Sequence, residues 1–378
     1  MLKILHIAYD EKFIDRGLAY FHEDKRVRNY LLIVSDASIN EYVMTKEDYR
    51  LTTCQHNEIA DLAMKHDVIV LHSLPNFLLK AVERIEGKYL IWLGFGFDYY
   101  DIMYKTKYHL MMEETRRFYI EKVSSIDPLI LEKQIAETAP PLYKMEVLKK
   151  INLFCPVLKN EYDLLKNYIG SLPEYFCWNY ISEDSERIIN SNDFSSGRSV
   201  IVGNSADPSN NHIDVLESIK GINFDEQVKI ITPLNYGNNK YANEVERSFA
   251  AVFGDSYRSL RSFMSLQEYC GVLATANTCI MAHKRQQAMG NVAMMLRLGY
   301  RVFMSKHSPA YSFFCEHDIQ VFPLELIDTM RENITEPLDR MIQQRNAEIM
   351  FNMFSAEKNR ERTRRMIDNM FEHYGLGL

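Results

Sequence analysis

Short, unbroken apolar runs, each followed by a segment of helical spacing, constrain this chain more than any other feature. Lys3 to Ala8, Tyr30 to Ser35 (YLLIVS), Asp67 to His72 (DVIVLH) and Tyr89 to Leu93 (YLIWL) read as strands. Glu58 to Lys65 and Phe77 to Ile85 carry apolar residues at helical spacing. A strand with one wet face alternates polar and apolar residues, whereas a strand apolar throughout is covered on both faces. The latter is the mark of a parallel sheet with helices on either side. Ile151 to Val157 (INLFCPV) resumes as a strand and Asn160 to Tyr168 as a helix, so the first half predicts a doubly wound unit.

The same alternation returns after residue 198. Ser199 to Gly203, Val228 to Thr232, Thr278 to Ala282 and Arg301 to Met304 read as strands. His212 to Lys220, Tyr241 to Phe253, Leu266 to Ala274 and Gln287 to Leu298 read as helices. The polar stretch Ser182 to Gly197 predicts a linker. Ile349, Met350, Met353 and Phe354, then Met366, Ile367, Met370, Phe371 and Tyr374, form apolar stripes on C-terminal helices. The expected organisation is an N-terminal domain over 1–181 with a helical insertion at 104–150, a second domain over 198–340, and C-terminal helices over 341–378. A length of 378 residues suits two cores better than one. In such sheets ligands lie outside the carboxyl ends of the strands, and two facing domains would place the site in the cleft between them.

Composition excludes several classes of function. A net charge of −7 argues against a nucleic-acid partner, which needs a basic footprint. The six cysteines are scattered with no CxxC pair, so reduced thiols in a reducing cytosol are expected rather than a zinc site or a disulfide framework. No apolar run reaches the ~18–20 residues that a membrane-spanning helix needs, and the apolar N-terminal run is too short for a signal peptide. A chain of this kind is expected to be soluble or to touch a membrane only at its surface. Two segments could do so: the insertion, with Met111, Met112, Arg116, Arg117 and Phe118, and the basic run Lys358 to Arg365. A packed helical insertion and a solvated helix face would account for the same residues.

Three segments at strand ends carry candidate chemistry. Val202 to His212 (VGNSADPSNNH) joins a strand to a helix; Gly203 permits a close turn, and Asn204, Ser205, Asp207 and Asn210 can cradle an anion or cap the helix. An ordinary capped turn would use the same residue types. His283 to Asn291 (HKRQQAMGN) sets Lys284 and Arg285 at a helix N-terminus, where cations oppose the helix dipole unless an anion is bound. Trp92 to Tyr100 (WLGFGFDYY) surrounds one carboxylate, Asp98, with aromatics and two glycines. His6 and His72 end or occupy strands of the same domain. There is no GxGxxG, no GxxxxGK[ST] and no DxD string, so neither a dehydrogenase, a P-loop enzyme nor a metal-bridged diphosphate is indicated.

Taken together, VGNSADPSNNHI, ITPLNYGNNKYANEV and KRQQAMGN resemble the motifs of the 4-acetamido-4,6-dideoxygalactose transferases, the N-acetylfucosaminyltransferases of enterobacterial common antigen synthesis. Trp92, Gly96, Asp98 and Tyr100 are similar to a further pattern of that family, and Ala288 stands where its glycine is expected. The resemblance implies a GT-B fold: two facing Rossmann-like doubly wound domains with C-terminal helices. It implies a TDP-sugar donor on the second domain, held by Gly203, Asn204, Ser205, Asp207, Asn210, Tyr236, Asn238, Lys284, Arg285, Gln286, Gln287 and Gly290. It further implies a lipid-linked (undecaprenyl-diphosphate) glycan acceptor and a peripheral site at the inner face of the cell membrane, with no cofactor. For the acceptor side the expected residues are His72, Trp92, Gly96 and Tyr100, with Asp98 as general base and His6 in reserve. A non-catalytic sugar-nucleotide or glycan-binding regulator could use the same scaffold.

Overall fold

The structure, a computed structural model, describes residues 1–105, 109–124, 126–130, 141–181 and 194–376. The expected linker lies mostly outside them. The described residues fall into two compact units. One comprises Met1–Lys107, Ile135–Ser182 and Ala356–Leu378, and the other Tyr108–Gln134 and Glu183–Ser355.

The sheet of the first unit is parallel throughout. Its strands are β1 (Leu2–Ala8), β2 (Val27–Val34), β3 (Tyr49–Leu51), β4 (Val68–His72), β5 (Tyr89–Leu93), β6 (Leu153–Cys155) and β7 (Glu174–Tyr175), in the order β3-β2-β1-β4-β5-β6-β7. Every residue of β4 and β5 is buried, as their unbroken apolar runs require. The C-terminal helix Ala356–His373 belongs here: Met366, Ile367 and Met370 are fully buried in one cluster with Leu2, Val68 and Ile91. The indole N–H of Trp178 donates to Thr363 Oγ1 at 2.8 Å. The basic run on this helix is partly engaged, with Arg360 paired to Glu23 at 3.1 Å.

The second unit repeats the plan with β8 (Ser199–Val202), β9 (Ile230–Pro233), β10 (Tyr257–Leu260), β11 (Ala276–Met281), β12 (Arg301–Met304) and β13 (Phe322–Pro323), ordered β10-β9-β8-β11-β12-β13. Helix Arg340–Phe354 is part of this unit and buries Met350 and Phe354. The C-terminal helices expected as one block are thus divided, because Ser355 is extended (ψ 156°) and ends the first of them.

The 104–150 segment is divided too. Its helix Pro141–Leu148 falls in the first unit, whereas 109–130 packs on the second. The reason is a set of reciprocal caps. Asp214 accepts from the N–H groups of Glu114 (3.1 Å) and Thr115 (2.9 Å), Asn211 Oδ1 from Met112 N–H (2.7 Å), and Thr115 Oγ1 from Ile213 N–H (3.2 Å). Met112, Phe118 and Tyr119 pack against the core that holds Val202, Ile280 and Phe303. Arg116 pairs with Asp127 at 2.8 Å and Arg117 with Glu113 at 2.9 Å. Two of the apolar side chains considered for a membrane surface are therefore occupied within the protein. Among the described residues no helix is long and apolar enough to cross a membrane.

Candidate active site

In the second unit, β8 runs into Gly203 at φ +68°, where a Cβ would lie 2.7 Å from His212 Nε2 and 2.8 Å from Asn210 Oδ1. Only glycine fits that backbone and that contact. Asn210 organises the turn. Its Oδ1 accepts from Asn204 N–H at 2.8 Å and from His283 Nε2 at 2.9 Å. Its Nδ2 donates to Ser205 Oγ (3.1 Å) and to the Asp207 carbonyl (2.9 Å). Asp207 Oδ1 accepts from Ser209 N–H at 2.9 Å.

The other two motifs close onto this turn. Ala206 and Gly237 form a parallel bridge, with Ala206 N–H donating to the Tyr236 carbonyl at 2.7 Å and Asn238 N–H to the Ala206 carbonyl at 3.1 Å. Asn204 Nδ2 donates to the Tyr236 hydroxyl at 2.7 Å. Asn238 Oδ1 caps helix Asn239–Phe253 by accepting from Tyr241 N–H at 3.0 Å. Gln287 accepts from the Ser209 hydroxyl (2.9 Å) and donates to Asn204 Oδ1 (3.2 Å). Gly203, Asn204, Ser205, Asp207, Asn210, Tyr236, Asn238 and Gln287 thus share one network. Within it Ser205, Asp207, Asn210 and Asn238 spend their side chains on the loops themselves.

The free charge of this network is Arg285. Among the described residues its guanidinium has neither a hydrogen-bond acceptor nor an ion-pair partner, and its Nε is buried without one. A partly desolvated cation without an acceptor is unfavourable unless an anion completes it. The nearby histidines do not supply charge: burial lowers the pKa of His212 and of His283 to about 3, so both are neutral. Ala288 is left-handed (φ 57°) and heads helix Met289–Arg297, which explains why a glycine suits that position. Gly290 is exposed in its first turn, and Gln286 is buried.

Lys284, after β11, lines a cleft of 540 Å³ with Ser305, Lys306 and His307, which follow β12, with Leu324 and Glu325, which follow β13, and with Met111, Met112, Arg116 and Leu129. Sequence reasoning passed over Ser305, Lys306, His307 and Glu325. For Ser305, Lys306 and His307 the signal was their place directly after the strand ending at Met304.

In the first unit Asp98, expected from the sequence as general base, lies inside its own turn. It is 1% exposed, and its two oxygens accept four N–H groups. Oδ2 takes Leu74 N–H (2.8 Å) and Trp92 Nε1–H (2.7 Å), and Oδ1 takes Phe95 N–H (2.8 Å) and Gly96 N–H (3.1 Å). Its lone pairs hold a turn in which Gly96 sits at φ +105°. Trp92, Gly96, Tyr100 and His72, expected at the acceptor, are buried as well. Tyr99 and Tyr100 donate to Glu161 Oε1 at 2.8 and 3.0 Å.

His6 is likewise engaged at both nitrogens. Asn29 Nδ2 donates to the Phe21 carbonyl (3.0 Å), so its Oδ1 faces His6 Nε2 (3.1 Å), which must carry the proton. His6 Nδ1 then accepts from His72 Nε2 (2.9 Å), and His72 Nδ1 accepts from the Tyr180 hydroxyl (2.5 Å). Burial lowers the pKa of His6 to about 3 and that of His72 well below its ordinary value. Both are neutral links in a chain that ends on Tyr180. Among the described residues no group of three or more His, Cys, Asp or Glu side chains is placed to hold a metal.

Solved structures with the same architecture span the whole chain. The UDP-forming α,α-trehalose-phosphate synthase from Burkholderia xenovorans matches at TM-score 0.65 and 10% identity, covering 100% of both chains. Sucrose-phosphate synthase from Thermosynechococcus elongatus matches at 0.66 and 8%, covering 99% of this chain and 100% of its own. A UDP-N-acetylglucosamine 2-epimerase matches at 0.54 and 10%, covering 99% of this chain and 97% of its own. At such identities the likeness speaks for the fold alone. Fold and family match together define a glycosyltransferase of GT-B type. Residues 176–363 match the family described as 4-alpha-L-fucosyltransferase, glycosyl transferase group 56.

Proposed function

We propose that this glycosyltransferase binds a nucleoside diphosphate sugar on its second unit, with the diphosphate on Arg285 and the nucleoside in the cleft lined by Lys284. The unpartnered Arg285 guanidinium carries this reading. As the bond from the anomeric carbon to the diphosphate breaks, negative charge grows on the leaving oxygen. A fixed cation beside a helix N-terminus stabilises that charge more than it stabilises the ground state. The cleft's 540 Å³ lies within the roughly 300–1,000 Å³ of small-molecule sites. Met111, Met112 and Leu129 give it an apolar wall suited to a thymine and its methyl group. Tyr236, whose hydroxyl accepts from Asn204, is 52% exposed on the same network.

The donor sugar in this proposal is 4-acetamido-4,6-dideoxygalactose or a close 6-deoxyhexose, carried on TDP, and the acceptor is a lipid-linked glycan at the inner membrane face. The sequence motifs and the fucosyltransferase description of the family support this choice. Asp98 serves the reaction by positioning its turn. A thermal-shift panel of TDP, UDP, GDP and their sugars tests the reading. TDP at ~100 Kd should stabilise the protein by about 2.7 kcal/mol. If no nucleoside diphosphate raises the Tm, the donor site is misplaced.

A further inference from the structure

Tyr99 and Tyr100 point inward, which leaves other rings at the same strand ends. Phe97, next to Asp98 in the chain, is 46% exposed, and Phe13 is 42% exposed. Tyr9 and Phe95 are partly exposed between them. The rings are contiguous: Tyr9 meets Phe97 edge-on at 6.1 Å, Phe95 lies 6.4 Å from Phe97, and Phe13 lies 6.3 Å from Phe95. Tyr9 follows β1 and Phe95 follows β5, so the patch lies at the carboxyl edge of the sheet. That is the edge at which sheets of this kind bind ligands.

The patch rests on a fixed base. Tyr180, itself 6% exposed, stacks under Phe95 at 4.6 Å and 21°. Its hydroxyl is held by the neutral chain His72–His6–Asn29, and Gly17 makes room for its ring, since a Cβ there would meet it at 2.8 Å. Asp98 fixes the turn that carries Phe95 and Phe97. Buried polar groups of this number, all satisfied, hold a surface in one geometry. Ser73, at the end of β4 between those of β1 and β5, adds strain: its φ is +88° and its buried hydroxyl has no partner.

We infer that Tyr9, Phe13, Phe95 and Phe97 form the acceptor subsite, a shelf for the C–H face of a pyranose ring. This rests on the glycosyl-transfer reading, which requires a glycan acceptor. A pyranose presents a row of axial C–H groups on one face and hydroxyls around its rim. An aromatic face covers the former and leaves the latter in water. The rings carry no charge, so the ligand class is a neutral sugar face rather than a diphosphate. His6 and His72 become positioning residues of this shelf.

The test uses the full chain and saturation-transfer NMR with selective irradiation of aromatic protons. The probes are the methyl β-glycosides of glucose, galactose and N-acetylglucosamine. Saturation should reach the C–H protons of one ring face. Phe13→Ala with Phe97→Ala should weaken saccharide binding by about tenfold or more, Phe97→Tyr should restore it beside an intact Phe13, and Phe263→Ala on the other unit should leave it unchanged. If the double variant melts early, Phe97→Leu keeps the apolar bulk and should still lose affinity. Saccharide affinity within about twofold of the parent in the alanine or leucine variants, or no saccharide binding to the parent, would overturn the shelf. Binding of TDP is measured on the same samples. Its absence with an intact shelf effect would count against the donor reading alone.

Discussion

The two strand-end turns, one in each unit, are built from similar residues and reach opposite electrostatic ends. In the first unit the charged side chain, Asp98, points inward and is saturated by four N–H donors, while neutral rings point out. In the second unit the carboxylate, Asp207, is spent on Ser209, while the cation, Arg285, is left without a partner. One turn consumes its charge internally and presents a neutral aromatic surface. The other satisfies its neutral polar groups and keeps a cation in reserve. The comparison teaches that the ligand of such a turn is read from what its hydrogen bonds leave over, not from which residues it contains.

Acid should act on both units alike, and with the largest effect. His6, His212 and His283 have folded pKa values of about 3, all lowered by burial, against an ordinary value of 6.5. The unfolded chain therefore takes up protons that the folded chain refuses. Stability is full above about pH 6.5 and falls as pH drops towards 3, by up to about 1.4 kcal/mol per pH unit for each histidine. Urea midpoints flat from pH 8 to 7 and falling steeply from 6 to 4 are expected. A midpoint unchanged down to pH 4 would break the account of neutral buried histidines.

The next effects separate the turns. Gly203→Ala puts a Cβ 2.7 Å from His212 Nε2 at a positive φ, and should cost about 3 kcal/mol in chemical unfolding while also weakening TDP. Asp98→Asn leaves two N–H donors facing an amide NH2, and should cost about 2 kcal/mol with TDP affinity unchanged. If Asp98→Asn instead leaves stability unaltered and abolishes turnover, the turn is catalytic after all and the contrast between the units fails.

Much of the fold was legible. Tyr89–Leu93 and Arg301–Met304 begin and end where their apolar runs do. The strands that sequence missed, β3, β7, β10 and β13, are edge or near-edge strands with half-exposed patterns, and a strand flanked on one side needs no unbroken apolar run. The site was legible to the level of the segment. That three motifs meet could be read from their shared position between strand and helix. Which side chains would face a ligand could not, because adjacent residues divide the work: Asp98 turns in and Phe97 turns out. The division of 104–150 was hidden for a related reason, since its caps come from Asn211 and Asp214, about a hundred residues away.

The central claim is that Arg285 awaits a diphosphate, and titration calorimetry on the parent and Arg285→Ala with TDP and with thymidine tests it most directly. Loss of a charge-assisted pair of hydrogen bonds should weaken TDP by roughly 10–100-fold and leave thymidine within about twofold. Equal TDP affinity in parent and variant would contradict the claim and leave the guanidinium without a function.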